Sequence, residues 1–336
     1  MNSGCGAEVA AEADMASELI TVFGGSGFIG RYIVKNLVAA GNRVRVAVRN
    51  PNQALFLRPM GDVGQVVPVQ ANIRDDASVA AAVSGADAVV STVGTYRQRG
   101  KQTYQAVHVE GARRIAAAAT ETGAKRLVHV SGIGTDSDSP SRYVRSKTAG
   151  EAAIRENFSG ATIVRCSVVF GREDSVLNRL AALSRLSPVI PLFGNTPMDA
   201  GSSKTQPVYV GDIAEAVRCI LAEESTAGQV FELGGPQVMT YRELVETVLR
   251  EADRRRILVP LPFGVAKAMA SILEVVLPIS PISRDEVILL EADNIVREGV
   301  PGFADLDIEP TALSAIAPGY LRRFRRGSAA AGVTAG

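Results

Sequence analysis

Two hydrophobic rhythms alternate along the chain from residue 18 onward. Short runs rich in Val, Ile and Ala recur at 19–23, 43–48, 65–70, 87–92, 125–131 and 161–168. Between them, at 28–40, 52–59, 76–84, 103–122 and 142–157, apolar residues fall at helical spacing. Continuous apolar strands separated by helical stretches are buried on both faces, which predicts an α/β fold with a doubly wound parallel sheet. Pro68, inside the third run, predicts an irregular strand end. Further on, the pattern predicts a helix at 175–186, a Pro/Gly-rich loop at 187–197, a helix at 211–224 and a last strand at 229–233. Thr240 and Glu243 stand at capping-box spacing ahead of a helix at 241–252. The expected organisation is a tail (1–17), a nucleotide-binding domain (18–232, with 171–204 contributing to a second lobe), a smaller C-terminal α/β lobe (233–326) and a second tail (327–336).

The stretch Ile20–Gly30 organises the rest. A β-branched run ends in Gly24, Gly25, Gly27 and Gly30, and an apolar helix pattern follows at once. Gly24, Gly27 and Gly30 have the spacing of a Rossmann-type strand–turn–helix. Such a turn brings backbone N–H groups and the positive end of a helix to a pyrophosphate. Gly24, Ser26, Gly27, Phe28, Ile29 and Gly30 are therefore expected to cradle a dinucleotide. Where an NAD site carries an acid after the second strand, this chain has Arg49. A guanidinium suits a 2′-phosphate, so NADP(H) is favoured over NAD(H), with Arg31 and Arg45 adding charge; a solvated loop arginine is the alternative. By position, Asn72 and Ile73 would cover the adenine and Val93 would run beside the cofactor, though a plain loop fits both stretches too.

Tyr143 and Lys147 are four residues apart and share one face of a predicted helix. An ammonium beside a phenol favours the phenolate, which would bring Tyr143 toward use as a general acid or base, and Lys147 can also hold the nicotinamide ribose. His108 and His129, the chain's only histidines, are read as packing residues, and no metal cluster can be built from them. Cys5, Cys166 and Cys219 are odd in number and widely spaced, which disfavours a disulfide framework or a zinc site and suits a reducing compartment.

With a net charge of +1, no global field draws the chain to nucleic acid. No apolar run reaches the ~18–20 residues of a membrane span. Residues 1–17, small and acidic, resemble neither a signal peptide nor a presequence, so the expectation is a protein kept in a bacterial-type cytoplasm. Residues 261–280 carry only Lys267 and Glu274 as charges. They predict a buried core helix, with docking on a membrane-protein partner or at the lipid interface as alternatives. Arg322, Arg323, Arg325 and Arg326 make a basic end, read as a solvated tail or as a contact for anionic headgroups or an acidic subunit.

Taken together, the Gly24–Gly30 turn, the Tyr143/Lys147 pair, Val164–Asp174, Gln206–Ala216 and Phe231–Pro236 resemble the extended or atypical short-chain dehydrogenase/reductases over roughly residues 18–300. Phe23–Arg31, Ser141–Lys147 and Asp293–Val296 are most similar to the NADPH-binding accessory subunits of respiratory complex I and their α-proteobacterial relatives. The resemblance implies a tightly held NADPH, partner subunits near the membrane junction, and a peripheral place on the cytoplasmic side of a bacterial inner membrane. A working reductase of this superfamily also needs a Ser or Thr after the fifth strand. Here that position falls near Ile133 or Gly134, with Ser131 or Thr135 as substitutes under a shifted register. Loss of one such donor costs roughly 10²–10³ in rate. The resemblance therefore implies little or no turnover; the alternative is a free-standing NADP-dependent oxidoreductase or epimerase acting on a small molecule or nucleotide sugar.

Overall fold

The computed structural model describes residues 18–276 and 282–325. Cys5, Arg326 and the tails expected at 1–17 and 327–336 lie outside the described residues. The chain divides into two compact units. One holds the described residues up to Cys166 with Val210–Leu233 and Arg297–Glu309; the other holds Ser167–Tyr209, Gly234–Val296 and the described residues from Pro310.

In the first unit the apolar runs become β1 (Leu19–Phe23), β2 (Arg43–Val48), β3 (Val66–Gln70), β4 (Ala88–Ser91), β5 (Arg126–Gly132) and β6 (Thr162–Cys166). With Val230–Leu233 they form a seven-stranded sheet ordered β3-β2-β1-β4-β5-β6 and then Val230–Leu233. Every pairing is parallel. The order reverses between β1 and β4, and open sheets of this kind bind ligands at that switch point. The helices α1 (Phe28–Ala39), α2 (Asp76–Val83), α3 (Glu110–Glu121) and α4 (Arg142–Asn157) follow the expected spacing. Phe23, Val89, Leu127 and Ile163 from the strands pack with Val79, Ile115 and Ile154 from α2, α3 and α4. On the opposite side, α1 meets the helix Val210–Ala222, where the Asn36 amide donates to Glu215 at 3.0 Å.

Two local expectations change. Pro68 sits in regular register opposite Val46, not at an irregular end. It is tolerated because β3 is the sheet edge, where a missing N–H breaks no ladder bond on the outer side. Residues 51–60 wind as a 3₁₀ helix, with Pro51 at its start and Pro59 inside. A buried ion network ties the late segment to the sheet. Arg165 donates to Glu151 (2.7 Å) and Glu232 (3.4 Å), and Arg297 also reaches Glu232, whose side chain is wholly buried.

In the second unit, Thr240 and Glu243 form the expected capping box on the helix Tyr241–Glu251. Ser283 and Glu286 form another, which the apolar pattern did not reveal. The loop expected at 187–197 is instead a strand, Val189–Gly194, paired in parallel with Ile257–Pro262. Prolines in both segments disguised them, and a two-stranded sheet is all edge. The apolar segment near 261–280 is a helix from Phe263 to Val276. It is not a core helix: Phe263, Ala266 and Ala270 are buried, whereas Val265, Met269, Ile272 and Val276 are exposed. Nor is the basic end a solvated tail throughout. Arg323 donates to Asn178 Oδ1 at 2.7 Å and Arg325 to the Glu251 carbonyl at 2.9 Å. Among the described residues, no helix is long and apolar enough to cross a membrane.

Candidate functional site

The glycine turn closes β1 onto α1. Gly24 has φ +77°, and a Cβ there would stand 2.8 Å from Thr92 Oγ1. At Gly30 a Cβ would approach the Gly24 carbonyl to 2.3 Å, so helix and turn touch backbone to backbone. No side chain caps α1 at Gly27, and no acid stands in its first turn. Its opening N–H groups and helix dipole thus remain available to an anion. Ser26, Phe28 and Ile29 lie half-buried around this end. Arg31 folds back to donate to the Ser26 and Gly27 carbonyls and lies 5.0 Å over the Phe56 ring.

Arg49, at the end of β2, lines a cavity of about 340 Å³ with Gln70, Ala71, Asn72, Arg74 and Ser78. Arg74 escaped the sequence reading; its position two residues beyond Asn72 was the available signal. Arg45 does not join them. Its guanidinium donates to the Ala82 and Ser84 carbonyls, both at 2.8 Å, where α2 ends. Asn72 first serves the turn, its side-chain oxygen accepting from the Arg74 N–H. Ile73 and Val93 pack their side chains against the core that contains α3.

At the other end stands α4, begun by a Ser141 cap. Lys147 is buried, and its ammonium donates to the Val130 carbonyl at 3.2 Å. Desolvation brings it down to about 8 despite Glu151 nearby. Tyr143 overturns the expectation of an eased phenolate. Burial pushes its hydroxyl well above the usual phenol range, and Tyr96 and Tyr104 add to the shift. The Tyr96 ring stacks on it at 5.2 Å and 17°, and Tyr104 and His108 meet it edge-on at 5.9 and 5.5 Å. The desolvation of this enclosed phenol outweighs any help from Lys147, whose ammonium is engaged elsewhere.

His108 lies in a π-helical turn, Gln105–Val109, directly ahead of α3. Burial and Lys147 take its imidazole down to about 3, so it is neutral. Its Nε2 accepts from the Thr95 N–H at 2.9 Å, which leaves the proton on Nδ1 to donate to Ser146 Oγ at 2.8 Å. Ser146 in turn donates to the Tyr143 carbonyl at 2.7 Å. His129, on β5, is likewise held well below its ordinary range, first by burial. Ile133 is buried and Gly134 has φ +84°, so neither brings a hydroxyl to Tyr143. Ser131 lies within the sheet opposite Arg165. Its Oγ and His129 Nδ1 are buried without a protein partner.

These features fit a dinucleotide: an uncapped helix N-terminus behind a turn that excludes side chains, a two-arginine cavity, and orphaned buried polar atoms beside the Tyr143/Lys147 helix. Among the described residues, no group of His, Cys, Asp or Glu could hold a metal. Residues 24–179 match the NAD(P)H-binding family, so the chain carries a nicotinamide dinucleotide-binding domain. The chain is 35% identical, over 91% of its length and 78% of the relative's, to the mitochondrial NADH dehydrogenase [ubiquinone] 1 alpha subcomplex subunit 9 of Arabidopsis thaliana. It is 32% identical, over 93% of its length and 81% of the relative's, to the mitochondrial NADH-ubiquinone oxidoreductase 40 kDa subunit of Neurospora crassa. In fold it is similar to a dTDP-glucose 4,6-dehydratase from Streptomyces venezuelae solved with NAD, with a TM-score of 0.68 at 19% identity over 93% of this chain and 98% of that one.

Proposed function

The chain belongs to the family of subunit 9 of the NADH dehydrogenase [ubiquinone] alpha subcomplex, and from that premise we propose that it is an NADPH-holding accessory subunit of respiratory complex I with little or no turnover. The observation that carries the absence of turnover is the phenol of Tyr143, stacked under Tyr96 and held protonated by desolvation, with neither Ile133 nor Gly134 able to bring it the usual Ser or Thr hydroxyl. In this reading the Gly24–Gly30 turn and the first amides of α1 hold the pyrophosphate. Arg49 and Arg74 clasp the 2′-phosphate, Asn72, Ile73 and Val93 border the adenosine side, and Lys147 and Tyr143 hold the nicotinamide ribose. Bound NADPH would supply a hydride, but a phenol held neutral by burial resists giving or taking the matching proton. The nucleotide instead stabilises the fold by linkage, by about 4 kcal/mol at a thousandfold excess over its dissociation constant.

We place the subunit peripherally, on the cytoplasmic side of a bacterial inner membrane and near the junction with the membrane arm. The exposed apolar face of Val265, Met269, Ile272 and Val276 supports this placement, as does the arginine cluster Arg250, Arg254, Arg255 and Arg256 in the same unit. Exposed apolar side chains and arginines in one unit suit a surface of anionic lipid headgroups, with the basic C-terminal segment adding to it. A second reading, a free-standing NADP-dependent oxidoreductase or epimerase, draws on the retained pair Tyr143 and Lys147. Gentle detergent extraction separates the two. The expected result is comigration with NADH dehydrogenase activity and NADPH recovered from the band. A chain that runs alone, and whose purified form oxidises NADPH with a carbonyl compound, would replace the first reading with the second.

A further inference from the structure

The loop between β4 and α3 is tied down at several points. The Thr95 N–H donates to His108 Nε2, the Thr95 hydroxyl to the Arg97 carbonyl at 2.6 Å, and the Tyr104 hydroxyl to the Tyr96 carbonyl at 2.8 Å. Gln98 Oε1 accepts from the Tyr104 N–H at 3.0 Å. What these bonds present is the ring of Tyr96, laid flat on Tyr143 and hydrogen-bonded to its phenol. Tyr96 is itself 60% exposed, so it fills no core position. A ring of its size held against solvent at that point has one evident consequence, which is to cover its neighbour.

We propose that Tyr96 is a built-in plug: it occupies the place where a substrate carbonyl would have to meet Tyr143, and His108 is the latch that holds the plug to the tyrosine's own helix. The latch is the bond series Thr95 N–H to His108, His108 to Ser146, and Ser146 to the Tyr143 carbonyl. It joins the loop that carries the plug to the helix that carries the plugged residue. Because the imidazole stays neutral, mild acid does not open it. The inference rests on the cofactor-holding reading above and adds to it. Turnover is blocked by a specific side chain on a surface loop, and not only by the absence of a Ser or Thr hydroxyl at 133 or 134.

The test is nitration of the full chain by tetranitromethane, with and without NADPH, read by peptide mass for Tyr143. Tyr96→Phe keeps the stack and should keep Tyr143 protected. Tyr96→Ala should raise its nitration about tenfold, the loss of one ring stack and one hydrogen bond. His108→Leu, which cuts the latch, should raise it in the same direction by less. Tyr241 and Tyr320, both buried in the second unit, serve as protected references in every variant. Equal nitration of Tyr143 in wild type and Tyr96→Ala, whether both fast or both slow, overturns the plug. NADPH binding is scored separately on the same samples, so loss of the cofactor reading and loss of the plug give different results.

Discussion

Acid should loosen this protein through its two histidines, and the size of the effect follows from their burial. His108 and His129 are 2% and 3% exposed, and both are held below the ordinary value of 6.5, His108 to about 3. In the unfolded chain each takes up a proton as pH falls through 6.5, while the folded protein binds none. Stability therefore is present above 6.5 and is lost as pH falls below it, because the unfolded state binds more protons. From about pH 7.5 to about pH 5.5 the loss is roughly one to two kcal/mol for His108, and His129 adds to it in the same direction. Lys147, at about 8, adds almost nothing, since it is largely charged in both states over that window. Glu215 and Glu232 have depressed values and act only at lower pH. Asp174 is raised by burial and works in the opposite sense, so Asp174→Asn is the proper background control. Urea unfolding at the two pH values measures the drop, and His108→Gln should remove the His108 share of it. Proton NMR of the two imidazole C2 hydrogens gives a direct check. A folded-state histidine titrating near 6.5, or a pH dependence that His108→Gln leaves unchanged, would refute the reasoning.

Other outcomes follow from the same geometry. Arg49→Asp should weaken NADPH far more than NADH, and Arg74→Ala should weaken NADPH about tenfold, one partly solvated charge-assisted contact; equal loss of both nucleotides by fluorescence titration would remove these arginines from the phosphate. Glu232→Ala should cost about 1–2 kcal/mol in urea unfolding, because it removes the carboxylate that the Arg297 guanidinium and the Arg297 N–H use, while Arg165 keeps Glu151. A midpoint unmoved by that change would show that the network contributes nothing to the fold.

Much of the first unit could be read directly. Strand runs such as Leu19–Phe23 and Ala88–Ser91 are legible because a strand buried on both faces is apolar along nearly its whole length. The turn at Gly24–Gly30 is legible because only glycine fits where a Cβ would meet a carbonyl at 2.3 Å. The strand Val189–Gly194 was not legible. Its existence depends on Ile257–Pro262, some seventy residues later, and no local pattern announces a partner.

The Tyr143/Lys147 pair marks the border between the two kinds of knowledge. Its four-residue spacing, and with it a shared helix face, belongs to the sequence, as do the parallel sheet and the phosphate-binding turn. The state of the phenol belongs to the tertiary structure, because Tyr96, Tyr104 and His108 reach it from a loop and a π-helical turn more than thirty residues away. Periodicity records how a segment meets its own neighbours. Desolvation and hydrogen bonding depend on what the folded chain brings against it from elsewhere, and here those forces reverse the direction in which the lysine alone would have shifted the tyrosine.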